Sequence, residues 1–147
     1  MSSSAPTALA ADQRLRIQLA RLLAIPAPDE ACALLLGERR DSGGQWRLRR
    51  LWPCLNVWPQ PAERSRRFAI DPREQLLAQR WGRQRGLEVL GHAHSHPRSA
   101  PEPSATDLSL CVTPALMLIQ GPRGEQRIWW LAGDGSPPLP LPWTMED

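Results

Sequence analysis

GHAHSHPRSAPEPSATD, residues 91–107, reads as the end of a strand, an irregular loop and the first turn of a helix. Leu87 to His94 alternates in the two-residue rhythm of a strand. His94 and His96 stand two positions apart, so at a strand end both imidazoles project to the same side. Prolines then interrupt the chain until Ser104, a residue suited to cap a short helix that carries Asp107. Two imidazoles and one carboxylate make a zinc ligand set with a fourth coordination position left for water. Taken alone the trio is ambiguous, because surface histidines are commonly solvated and an aspartate in a first helical turn commonly caps it.

Outward from this stretch the chain alternates strand and helix signals. Upstream, Leu15, Leu19, Leu22 and Leu23 recur at helical spacing behind a capping Asp12, and Pro26 and Pro28 end that helix. Glu30 to Gly37 is an apolar run of strand length, and Trp46 to Trp52 alternates against arginines. The segment DSGG at 41–44 supplies turn chemistry for a hairpin between them. A further strand is expected at Leu55 to Trp58. Asp71-Pro72 opens a second helix that ends near Gly86. Ala115 to Gln120, the turn GPRG and Gln126 to Leu131 form a closing hairpin. The sum is a mixed α/β fold of α+β type, with a central, mostly antiparallel sheet flanked by two longer helices and the short helix of Asp107. Residues 1–11, rich in Ser, Ala and Pro, and the Pro-rich tail 133–147 are expected to be loose, leaving one domain over 12–132.

Composition excludes several classes. A chain of 147 residues with 41% hydrophobic and 22% charged positions is ordinary for one globular domain. At this size burial is sufficient without a structural metal or disulfide framework, so a metal site would serve a function. No apolar run approaches the roughly 20 residues that span a bilayer. No secretory signal pattern is visible, which makes a cytoplasmic location the expectation. Three cysteines, Cys32, Cys54 and Cys111, fit reduced, buried thiols. All 18 basic residues are arginines, and clusters at Arg47, Arg49 and Arg50 and at Arg64, Arg66 and Arg67 could steer an acidic partner. No DNA-binding motif or base-stacking platform accompanies them, so nucleic acid is not expected.

The ambiguity of the trio is lifted by its surroundings. His94-Ser95-His96-Pro97, a seven-residue gap after His96 to Ser104, two residues to Asp107, and an upstream glutamate at the start of an apolar strand, Glu30 in PDEACALLLG, resemble the JAMM (MPN-plus, JAB-type) metalloprotease family. The resemblance covers Pro28 to Gly121, and Ala33 stands where the family often has glycine. It implies the cytidine-deaminase-like MPN domain fold and one zinc ion held by His94, His96 and Asp107. It further implies Glu30 as general acid and base, and Ser104 as the hydroxyl donor to an oxyanion. It also implies cleavage of an amide bond after the C-terminal tail of a ubiquitin-like protein. The compact chain is similar to bacterial stand-alone members that act on a ubiquitin-like sulfur-carrier protein. A non-catalytic MPN scaffold and a broader deubiquitinase-like isopeptidase remain alternatives, and oligomerisation is open. His92, Ser95, Cys32 and Glu102 are read as packing, strand-shaping, buried-thiol and solvated residues respectively.

Overall fold

The computed structural model describes residues 5–39 and 44–145. The turn expected at DSGG therefore lies almost wholly outside the described residues. The strands are β1 (Leu9–Ala11), β2 (Cys32–Glu38), β3 (Trp46–Cys54), β4 (Glu88–Ser95), β5 (Ala115–Gln120), β6 (Gln126–Leu131), β7 (Leu139–Leu141) and β8 (Trp143–Met145). The helices are α1 (Gln13–Ala24), α2 (Pro72–Arg83) and α3 (Ala105–Leu110), with a 3-10 turn at Pro61–Glu63. The strands form one eight-stranded sheet in the order β7-β6-β5-β4-β2-β3-β1-β8. β2 pairs antiparallel with β3 and β4, and β6 with β5 and β7, while β4/β5, β1/β3 and β1/β8 run parallel.

Each helix starts where its capping chemistry says it should. The Asp12 carboxylate accepts from Leu15 N at 2.7 Å, Asp71 accepts from Arg73 N at 2.9 Å with Pro72 just inside the helix, and Ser104 accepts from Asp107 N at 3.0 Å. α1 buries Leu19 and Leu23 against the larger core, with Leu35, Trp46, Leu48, Leu116, Leu118 and Trp130. On the opposite face, Ala78 of α2 packs on Leu34 and Leu36 together with Trp52, Trp81 and Val89.

Three expectations need correction. Residues 9–11 are not loose: Leu9, Ala10 and Ala11 are fully buried as β1, whose backbone pairs with β3 and β8 and whose Leu9 and Ala11 join the large core. The tail is not devoid of regular structure either, since it supplies β7 and β8. Pro140 of β7 is tolerated because β7 is an outermost strand, with a neighbour on one side only. Pro142 alone separates β7 from β8, so the two edges of the sheet approach one another and the sheet curls around the α1 core. Finally, Leu55 to Trp58 forms no strand; β3 runs on to Cys54 and the chain then turns away around Asn56.

β4 departs from simple alternation at a place that matters. Leu35 of β2 pairs with Gly91, but Leu36 pairs with Val89, so Leu90 is an extra residue, a β-bulge. Val89 faces α2 and Leu90 the α1 core; beyond the bulge Ala93 again faces the α1 core, which leaves His92 and His94 on the α2 side. Gly91 is required there, because a Cβ on it would lie 2.0 Å from the Leu116 carbonyl oxygen of β5. Without the bulge, a strand that put Val89 on the α2 side would turn both histidines into the α1 core.

Candidate metal centre

His94 and His96 lie on either side of the C-terminal end of β4, Asp107 is in the first turn of α3, and Glu30 stands two residues before the start of β2. The tertiary structure gathers all four: each contributes a ligand atom, these atoms lie within 4.8 Å of one another, and all four residues are buried. His94 Nε2, His96 Nε2 and Asp107 Oδ2 form a triangle with each side 3.1 Å. Donors bonded at 2.0–2.1 Å to one tetrahedral zinc ion stand about 3.3 Å apart, close to what is observed.

The hydrogen bonding of His96 supports a cation there. Its Nδ1 is 2.8 Å from the Ala100 carbonyl oxygen, which can only accept, so Nδ1 carries the proton and a neutral ring turns its Nε2 lone pair toward Asp107 Oδ2. Two acceptors in that position repel unless a positive charge lies between them. A proton does this in the metal-free protein: burial works against the charged imidazole, but the hydrogen bonds to Asp107 and Ala100 and the nearby Glu30 raise the His96 pKa overall. Burial also opposes ionisation of Asp107, yet its bonds to His94 and His96 hold its pKa far below the usual range. Proton and metal ion therefore compete for one place. His94 has its pKa lowered, chiefly by burial, which favours the neutral form that ligates.

α3 holds its carboxylate through a reciprocal cap. Ser104 N donates to Asp107 Oδ2 at 2.9 Å while Ser104 Oγ accepts from Asp107 N at 3.0 Å. The Ser104 hydroxyl is thus an acceptor toward the helix, with its own proton free to be donated. The loop between His96 and Ser104 is pinned by Trp129, whose Nε1 donates to the Pro101 carbonyl at 3.0 Å. Glu102 on that loop is exposed and pairs with Arg127 at 3.5 Å, consistent with a solvated loop carboxylate.

Glu30 is 3% exposed and its Oε1 has no hydrogen-bond partner among the described residues. Burial pushes its pKa up to about 8, with His96 opposing the shift and Asp107 reinforcing it. An orphaned, buried carboxylate oxygen beside a convergent ligand triangle is suited to hold and release a proton. A cavity of about 630 Å³ opens beside it, walled by Ile25, Leu55 and Val57 among others.

Several residues that organise the centre are not evident in the sequence. Asn56 Nδ2 donates to the carbonyls of Glu30 at 3.1 Å and Arg67 at 2.9 Å, and its Oδ1 accepts from Trp58 N and Ala69 N at 3.1 and 3.2 Å. Glu30 N in turn donates to Arg64 O at 2.7 Å. One asparagine thereby ties the loop to the backbone of Glu30; a lone Asn after a strand and before a Pro/Arg-rich loop is its only sequence signal. Replacing Asn56 by alanine leaves these half-buried groups without their partner, and stability is expected to fall by about 1–3 kcal/mol. Turnover should drop while metal content is kept, as thermal unfolding, metal analysis and kcat will report.

Ser95 does more than shape the strand end, since its Oγ accepts from Ala31 N at 2.8 Å and so joins β4 to the residue after Glu30. Phe68, the single phenylalanine, stacks on His94. His92 packs rather than joins the triangle, its ring 5.3 Å from that of His94. Cys32 is a buried thiol directed at the carbonyls of Cys54 and Leu55, and burial raises its pKa to about 12. Arg64 and Arg67 are drawn into their own loop, donating to Trp58 O and pairing with Glu63.

With fold and centre in view, comparison with known proteins gives a consistent class. Residues 12–132 match the model of prokaryotic homologs of the JAB domain, and the chain belongs to that family. It is similar to the desampylase of Pyrococcus furiosus, with 33% identity over 104 residues, which cover 70% of this chain and 67% of that protein. Among solved structures, a protein from Desulfitobacterium hafniense superimposes with a TM-score of 0.78 at 27% identity, over 95% of this chain and 93% of that one. A protein from Salinibacter ruber gives 0.62 at 30% identity, over 91% and 86%. A JAB1/MPN domain protein from Archaeoglobus fulgidus shares the fold, with a TM-score of 0.57 at 19% identity over 94% and 99%. No helix among the described residues is long and apolar enough to cross a membrane.

Proposed function

We propose that this protein is a zinc-dependent isopeptidase or peptidase that hydrolyses an amide bond after the C-terminal tail of a ubiquitin-like protein, with a ubiquitin-like sulfur carrier as substrate. The observation that carries the reading is the triangle of His94 Nε2, His96 Nε2 and Asp107 Oδ2, 3.1 Å on each side, with the Glu30 carboxylate beside it, its Oε1 without a partner among the described residues. Family membership and the similarity to a desampylase support hydrolysis of a ubiquitin-like modifier's linkage.

One zinc ion held by His94, His96 and Asp107 would supply a Lewis acid that polarises the substrate carbonyl and lowers the pKa of water. Glu30 takes the proton of the attacking water and returns it to the leaving amine, roles suited to a buried carboxylate beside the candidate ligands whose Oε1 has no partner among the described residues. Ser104 donates its free hydroxyl proton to the oxyanion that forms as the carbonyl is attacked. The backbone bonds around Asn56 and Ser95 keep Glu30 within reach of the triangle.

Ser104 has two roles that separate by measurement. In Ser104→Ala, loss of the helix cap is expected to cost about 0.5–2 kcal/mol of stability. Loss of the donor should lower kcat by about 10²–10³-fold. Unfolding curves and kcat will show whether both fall; a variant that loses only stability removes Ser104 from the chemistry.

The substrate is tested by intact mass. Zinc-loaded protein is incubated with a sulfur carrier bearing a C-terminal extension and with an isopeptide-linked ubiquitin-like modifier. Loss of the extension mass supports the carrier. Cleavage of the isopeptide conjugate alone replaces the carrier with a broader modifier substrate, and two unchanged masses reject the hydrolase reading.

A further inference from the structure

We infer that Phe68 is a positioning residue for the ligand His94, its aromatic face orienting the imidazole where a hydrogen bond would ordinarily do so. The inference rests on the reading that His94, His96 and Asp107 hold a divalent ion.

The two ligand histidines are held in different ways. His96 is oriented conventionally, with Nδ1 donating to the Ala100 carbonyl. His94 is fully buried, yet its Nδ1 has no hydrogen-bond partner among the described residues, so no hydrogen bond there fixes the ring plane or the aim of Nε2. Instead the Phe68 ring lies 4.4 Å from it, centroid to centroid, at an interplanar angle of 25°. His92 closes the cluster, 5.3 Å from both rings. His92 belongs to β4, as His94 does, and cannot move independently of it. Phe68 arrives from the loop that Asn56 ties to Glu30, and Ala69, its neighbour, donates to Asn56 Oδ1. The segment that fixes the backbone of the acid-base residue therefore also fixes a ligand ring.

Charge makes the aromatic face more than a wall. An imidazole that gives its lone pair to a divalent cation becomes electron-poor across the whole ring. The face of a phenyl ring carries the negative part of its quadrupole, so the stack strengthens when the ion is bound. An aliphatic side chain of similar volume would fill the space without that preference.

The test uses the full-length protein, stripped of metal and titrated with Co²⁺, whose visible spectrum reports the ligand geometry independently of turnover. Phe68→Leu is expected to lower Co²⁺ affinity by about tenfold or more and to alter the spectrum. Phe68→Tyr, which keeps the aromatic face, should restore both affinity and spectrum. The metal-free unfolding temperatures should be similar, because Phe68 is half-buried on a loop. Should Phe68→Leu fail to fold, Phe68→Met serves in its place with the same outcomes. An aliphatic variant that matches the unmodified protein in affinity and spectrum overturns the assignment, as does equal weakening by Tyr and Leu. If the unmodified protein takes up no cobalt, the metal reading and this inference fall together; normal uptake with an indifferent Phe68 variant removes the inference alone.

Discussion

Replacing Glu30 by glutamine is expected to leave a folded, metal-replete protein whose turnover is reduced by about 10²–10⁴-fold, the usual contribution of a positioned general acid-base group. Glutamine keeps the shape and removes the titrating proton. Folding should not suffer, because burial already disfavours the charged carboxylate and an amide carries no charge to bury. The backbone bonds of Glu30 to Asn56 and Arg64 involve no side-chain atom of Glu30 and persist in the variant. Metal content by elemental analysis, the unfolding temperature and kcat by intact mass check the three parts. Turnover within a few-fold of the parent would remove Glu30 as the proton carrier. Loss of metal together with turnover would place it among the ligands, and these outcomes do not overlap.

Removing the metal is expected to abolish turnover and to lower stability by an amount that free metal restores. Any ligand that binds only the folded state at 1,000 times its dissociation constant stabilises it by about 4.1 kcal/mol. For a chain of this size each kcal/mol moves the unfolding temperature by about 2–4 °C, so a rise of about 8–16 °C on adding zinc is expected. The physical source is local: in the metal-free centre two imidazoles and a carboxylate converge at 3.1 Å, and a divalent cation relieves that crowding of acceptors better than one proton does. His96→Ala removes one corner of the triangle but spares the Ser104–Asp107 cap, so α3 should remain while the response to zinc disappears. A zinc-independent unfolding temperature in the unmodified protein would refute a resident metal.

Much of the centre is legible in the chain because its determinants are local. The two-residue spacing of His94 and His96 depends only on a strand's pleat, and the Ser104–Asp107 spacing depends only on a helix's first turn. α1 and α2 are announced by Asp12 and by Asp71-Pro72 for the same reason. The edges of the sheet are not legible in this way. β1, β7 and β8 are three residues long, with Pro140 inside β7 and Pro142 between β7 and β8, and show no periodicity of their own. They form because neighbouring strands offer unpaired backbone groups, which is a property of the assembled sheet. The loop after β3 was equally opaque, since an extended apolar segment reads as a strand until Asn56 is seen to satisfy the backbone that a ladder would have served.

The sequence by itself determined which residues could ligate, at what spacing, and on which kinds of element, because those relations are set by backbone geometry over a few residues. Only the tertiary structure decided that these candidate ligands share one place with Glu30. That outcome depends on the extra residue at Leu90, on Gly91 lying against the Leu116 carbonyl, and on Ser95 joining β4 to Ala31. One residue added to a strand exchanges its two faces, and which face meets the glutamate is fixed by register with strands distant in the chain.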